Sequence, residues 1–116
     1  MPYGKLAAPF AAFAVGAVVW TAMPEAPSAG MAAVRIDNFN FAPVALTVAA
    51  GTTVTWTNDD DSPHSVRDKN GKFKSAALDT GDTFSQTFAA PGEYTYFCSI
   101  HPRMTGKIVV KPAGSS

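Results

Sequence analysis

An all-β Greek-key sandwich, preceded by an apolar N-terminal leader, is the fold class that the sequence predicts. Three observations carry the prediction. Runs of β-branched and aromatic residues recur with a period of two. Turn signals separate these runs about every ten residues, the spacing of short strands in sandwiches and Greek-key barrels. No long stretch shows the 3.6-residue period of an amphipathic helix, and no internal repeat is visible.

Taken in order, Val34-Arg35-Ile36-Asp37 alternates apolar and polar residues. Ala45-Leu46-Thr47-Val48 and Thr53-Val54-Thr55-Trp56-Thr57 are β-rich runs split by Ala50-Gly51. Thr83-Phe84-Ser85-Gln86-Thr87-Phe88 alternates polar and aromatic residues, and Pro91-Gly92 signals a turn before Glu93-Tyr94-Thr95-Tyr96-Phe97. Gly106 to Lys111 supplies a last strand, and Pro112 to Ser116 reads as a frayed tail. The stretch between Asn58 and Gly81 is the least regular. Its Asp59-Asp60-Asp61 run reads as a solvated turn; no spaced set of oxygen ligands accompanies it, as a calcium loop would require.

The first thirty residues follow a different logic. A head with one positive charge, Lys5, precedes an uncharged, Ala- and Val-rich run from Leu6 to Pro24, and the small residues Ala26 to Gly30 follow. Charged head, apolar middle and small-residue tail are the parts of a secretory signal peptide, while the length would also serve as a membrane anchor. Residues 1–32 are therefore expected to be a signal peptide or anchor, and residues 33–116 a single domain. Its setting is periplasmic or otherwise exported, with any membrane contact made through an uncleaved leader.

Removing Lys5 and Glu25 from nine basic and nine acidic residues leaves eight of each, so the domain has no net charge. That balance gives no sign of the basic face that a nucleic-acid binder would favour. A domain of this size has a modest core and gains from a staple. With one cysteine in the chain, Cys98, that staple is not an internal disulfide. A lone thiol in an oxidising compartment is a liability unless it is buried, catalytic or bound to metal.

Metal binding is the reading that accounts for the most residues. The chain has two histidines and one cysteine, and two of the three sit in Cys98-Ser99-Ile100-His101-Pro102-Arg103-Met104, spaced C-x2-H-x2-M. His64 lies upstream in a loop after a predicted strand. A thiolate is soft, two neutral imidazoles complete a trigonal plane, and a thioether is a weak donor suited to a long axial contact. Two His, one Cys and a distant Met form the ligand set of blue-copper sites. His64, Cys98, His101 and Met104 are thus the expected ligands of one copper. Zinc is the competitor, but methionine contributes little to zinc sites. A Cys–His nucleophilic enzyme is the rival from another class. It lacks an evident orienting Asn or Asp and an oxyanion loop.

These same segments resemble a known family. Thr53 to Asn58 leading to Pro63-His64, together with Tyr94 to Lys107, is similar to the ligand-bearing segments of the cupredoxins. The short C-x2-H-x2-M loop with its His-Pro is most similar to that of the amicyanins; plastocyanins and pseudoazurins have longer spacings. Asn38 to Pro43 and Phe84 to Phe88 also resemble family segments, so the likeness runs from about Val34 to Lys111. The resemblance implies a Greek-key sandwich of about eight strands with type 1 copper near one end. It implies a non-enzymatic carrier of single electrons by Cu(II)/Cu(I) cycling, and a monomer serving redox partner proteins such as a cytochrome or a dehydrogenase. His101 is then the ligand whose ring edge faces partners. The alternative is a periplasmic copper carrier or buffer that uses the same site. One position departs from the pattern: amicyanins and plastocyanins have asparagine after the first histidine ligand, where it helps tie the ligand loops together, and this chain has Ser65.

Overall fold

The computed structural model describes residues 29–113. Within them every regular element is a strand: β1 (Met31–Asp37), β2 (Asn40–Ala42), β3 (Ala45–Ala49), β4 (Thr52–Asn58), β5 (Arg67–Asp68), β6 (Thr83–Phe88), β7 (Gly92–Phe97) and β8 (Thr105–Lys111). Two four-stranded sheets result, ordered β2-β1-β4-β6 and β3-β8-β7-β5. The pairings β1–β4 and β3–β8 are parallel and the other four antiparallel. Apart from the hairpins β1–β2 and β7–β8, successive strands cross between the sheets, so the sandwich predicted from the sequence is the one observed. The leader expected in residues 1–32 lies almost wholly outside the described residues. Pairing begins at Met31, which faces Thr53, two residues ahead of the expected domain boundary.

Alternation explains which face each strand buries. In β4, Thr52, Val54, Trp56 and Asn58 are buried while the residues between them are partly exposed. In β8 the same rule buries Gly106, Ile108 and Val110. On the outer face of the first sheet, Thr53 and Thr87 share a hydroxyl hydrogen bond of 2.8 Å, and Thr55 and Ser85 one of 2.7 Å. These pairs match the β4–β6 register, in which a slip of one residue would turn Val54 and Trp56 out to water.

The two sheets are joined through aromatic rings. Trp56 of β4 is fully buried and meets Tyr96 of β7 edge-on at a centroid distance of 5.3 Å. Phe41 of β2 approaches the same Tyr96 at 4.7 Å, and Phe88 of β6 meets Tyr94 at 5.1 Å. Each pair spans the sheets, and such edge-to-face contacts add to the gain from burial itself. Tyr96 fits because its cross-strand neighbour is Gly106. A Cβ at position 106 would lie 2.5 Å from the Tyr96 ring carbon Cζ and from its hydroxyl oxygen.

Gly106→Ala is accordingly expected to overpack the core and to destabilise the protein by about 1–3 kcal/mol, read as a lower urea midpoint. Because the clash is with the end of Tyr96, Tyr96→Phe should restore part of that loss. An unchanged midpoint in G106A would mean that Tyr96 moves freely.

Candidate metal centre

At one end of the sandwich β7 and β8 are joined by a tight loop, and its backbone explains the C-x2-H-x2-M spacing. The His101 N–H donates to the Cys98 carbonyl at 3.2 Å, and the Met104 N–H donates to the His101 carbonyl at 2.9 Å. Turns closed over three residues bring positions i and i+3 together. The Cys98 N–H then donates to the Met104 carbonyl at 3.0 Å, closing the loop on itself.

The other segment descends from the end of β4. Buried Asn58 donates from Nδ2 to the carbonyls of Ser62 and Leu78, at 2.9 and 2.8 Å, and its Oδ1 accepts from the Asp60 N–H. His64 is held by a bridge to Leu78, with backbone hydrogen bonds of 3.1 and 2.6 Å in the two directions. Three residues on, β5 pairs with β7 so that Arg67 faces Phe97. That pairing delivers the segment from His64 to Val66 beside Cys98.

Three of the four expected ligands converge. The Cys98 sulfur lies 3.8 Å from His64 Nδ1 and 3.9 Å from His101 Nδ1, and the three donor atoms all fall within 4.8 Å of one another. His64 and Cys98 are wholly buried, and His101 is half-buried. Met104, the fourth, is buried at the β8 end of the same loop and lines a groove together with His101. A soft sulfur, two imidazole nitrogens and a thioether nearby are a donor set that suits copper.

Ser65 ties the two segments together. Its Oγ accepts from the Ser99 N–H at 2.8 Å and lies 2.6 Å from the Ser99 hydroxyl. Its own N–H donates to the Cys98 sulfur at 3.3 Å. The short side chain suffices because its partner is the residue directly after Cys98. Burial pushes the Cys98 thiol up. The Ser65 N–H and the two imidazoles outweigh that effect and lower it from the ordinary 9.0 to about 6.

Two residues of the site were not legible as such. Asp60, read as part of a solvated acidic turn, is buried, and its Oδ2 lies 2.9 Å from His64 Nε2. The same oxygen accepts from the Phe39 N–H at 3.0 Å. These bonds, the Phe39 amide first and the imidazole next, hold the Asp60 carboxyl below the ordinary carboxylate range. Committing Nε2 to Asp60 leaves the Nδ1 lone pair of His64 directed at the sulfur side, the tautomer a metal ligand needs. Asp59 and Asp61 are exposed, as expected of a turn, with Asp59 paired to Arg35 at 2.7 Å. The signal for Asp60 was its place four residues before His64. Phe39, the second residue, packs edge-on against both imidazoles, with centroid distances of 5.0 Å to His64 and 4.9 Å to His101.

Two outcomes are expected for the metal-free protein. Thiolate absorbance near 240 nm should titrate with a midpoint near pH 6, against 9.0 for an ordinary cysteine. Between these values the unfolded chain binds more protons at this site than the folded one. Stability from this group is therefore complete above pH 9, is lost as pH falls through 6, and should appear as a urea midpoint rising across that window. Ser65→Ala removes the acceptor for the Ser99 N–H and should cost about 1 kcal/mol, the net worth of such a hydrogen bond. A variant as stable as the parent would show that the loops hold together without it.

Comparison with known proteins agrees with this geometry. The family model described as Cupredoxin-like domain matches residues 10–110. Amicyanin-alpha of Methylorubrum extorquens is 41% identical over 106 residues, covering 87% of this chain and 87% of that protein. The chloroplastic plastocyanin of Tetradesmus obliquus is 33% identical, covering 61% of this chain and 58% of that one. Among solved structures, a purple cupredoxin from Nitrosopumilus maritimus superposes with a TM-score of 0.65 at 39% identity, covering 69% of this chain and 99% of that chain. Copper is the cofactor that the family and this donor set have in common. With sandwich, loop spacing and relatives in agreement, the chain belongs to the cupredoxin-like family.

Proposed function

We propose that this protein is a small exported electron carrier that holds one type 1 copper through His64, Cys98, His101 and Met104. The observation that carries the reading is the convergence of three donor atoms from two loops within 4.8 Å, each loop fixed by its own hydrogen bonds. The bound copper would supply a one-electron Cu(II)/Cu(I) couple. The protein's part is to hold the donors still. Asp60 orients His64, the closed turn orients Cys98 and His101, and Ser65 locks the two segments. A cage that keeps its shape in both charge states lowers the cost of electron transfer, because little has to rearrange.

His101 is the one imidazole of the pair with solvent access. It is the route by which a redox partner protein, a cytochrome or a dehydrogenase, would exchange electrons with the centre. We assign no catalytic turnover to the chain, and we read it as a monomer. The leader read in residues 1–32 serves as signal peptide or anchor; because β1 pairs Met31 and Ala32 with Thr53 and Val54, a cleaved leader would end before Met31. The alternative of a copper carrier or buffer is less well supported. A cargo site favours exposed, exchangeable ligands, whereas His64, Cys98 and Met104 are buried.

Adding Cu(II) to the purified metal-free protein should give an intense visible charge-transfer band and a narrow copper hyperfine splitting in EPR, both lost in Cys98→Ser. A colourless adduct would end the type 1 reading. Stopped-flow mixing with reduced cytochromes would separate carriage of electrons from carriage of metal: rapid bleaching supports the first, and no exchange with any donor supports the second.

A further inference from the structure

The turn between β1 and β2 carries a residue that its own geometry disfavours. Asp37 pairs with Asn40, so Asn38 and Phe39 are the two central residues of a hairpin. Both have positive φ, 50° and 59°. Two-residue hairpins with positive φ at both central positions favour Asn followed by Gly, since a bulky side chain is strained in the left-handed region. Asn38 conforms. Phe39 does not, and such strain persists where surrounding structure imposes it.

The imposition is visible. The Asp60 carboxylate accepts from the Phe39 N–H with the same oxygen that faces His64 Nε2, so the turn is fastened to a ligand of the centre. The ring then stands edge-on to both imidazoles, whose own centroids are 5.2 Å apart. Phe39 is 45% exposed, while His64 behind it is fully buried. Beside it runs a groove of about 410 Å³ lined by Phe39, Asn40, Val44, His101, Arg103 and Met104 among others. The groove thus reaches two of the four expected ligand residues, His101 and Met104, and the Phe39 ring forms part of its wall beside His101 and covers buried His64.

We propose that Phe39 is a fixed shutter: a positioning residue, held in a strained hairpin by Asp60, that keeps small molecules in the groove from reaching the metal centre. The proposal rests on the ligand assignment above, but its first test does not need the metal. A merely structural residue at this position would be improved by glycine, which the turn prefers. A shutter would be opened by glycine while the fold stays intact.

The experiment compares the wild-type chain with Phe39→Gly and Phe39→Tyr. In the metal-free proteins, alkylation of Cys98 by iodoacetamide, in which the thiolate displaces iodide to form a C–S bond, reads access to the centre. F39G is expected to alkylate at least tenfold faster than wild type at a urea midpoint no lower than wild type, with F39Y at the wild-type rate. A rate within twofold of wild type in F39G overturns the proposal, and so does a rise fully matched by a fall in global stability. Should F39G not fold, Phe39→Asn, which tolerates positive φ and removes the ring, replaces it under the same criteria. In the copper-loaded proteins, azide should perturb the visible spectrum of F39G saturably and leave wild type and F39Y unchanged. Azide binding to wild type as readily as to F39G overturns the shutter. A wild-type protein that forms no coloured copper adduct overturns the ligand assignment instead, and leaves the alkylation comparison to decide on Phe39.

Discussion

The distance between residues 65 and 98 is the constraint on which the rest of the centre depends. His64 and Cys98 stand 34 residues apart in sequence, yet their donor atoms are 3.8 Å apart. Backbone pairing of β5 with β7 brings the segments alongside, but β5 is two residues long and begins only at Arg67. The last step is made by Ser65, which reaches Ser99 through its hydroxyl and the Cys98 sulfur through its N–H. Each neutral bond is worth about 1 kcal/mol net. Their combined weight lies in geometry: they fix one segment against the other at the residues next to His64 and Cys98. The low proton affinity of the Cys98 thiol follows from the same contacts, since the donors that hold the sulfur in place also favour its thiolate.

Much of this was legible in the sequence because the relevant signals are local. Period-two alternation placed β1 and β6, since a half-buried strand must alternate, and β-rich composition with turn signals placed β3, β4, β7 and β8. The C-x2-H-x2-M spacing placed Cys98, His101 and Met104 in one loop, because three-residue turns bring such positions together. What remained hidden depends on tertiary contact. β2 and β5 are too short to carry a period. Asp60 is indistinguishable from Asp59 and Asp61 by type, and only the path of the chain after Asn58 turns it inward against His64. Phe39 is one more aromatic residue in a run that reads as ordinary strand and turn. Its significance appears only when φ is known to be positive and two imidazoles are found beneath the ring.

Several features that run against foldability lie around the metal centre. A strained phenylalanine, a buried carboxylate, a lone thiol and two imidazoles in contact would each lower the stability of a plain sandwich. The core beside them is densely aromatic. Trp56 alone meets Tyr96, Phe73, Phe84 and Phe88 with centroid distances from 5.3 to 6.3 Å, and the first sheet's outer face is laced by paired hydroxyls. Tyr96 connects the two regions, because it packs in the aromatic core and lies two residues before Cys98 on β7. The strand that anchors the core is thus the strand that presents the sulfur. Rigidity generated by burial far from the centre is carried along β7 to the point where a fixed ligand geometry is required. A centre built on mobile loops without that strand would leave the donor distances to the metal to decide; here the sandwich decides them.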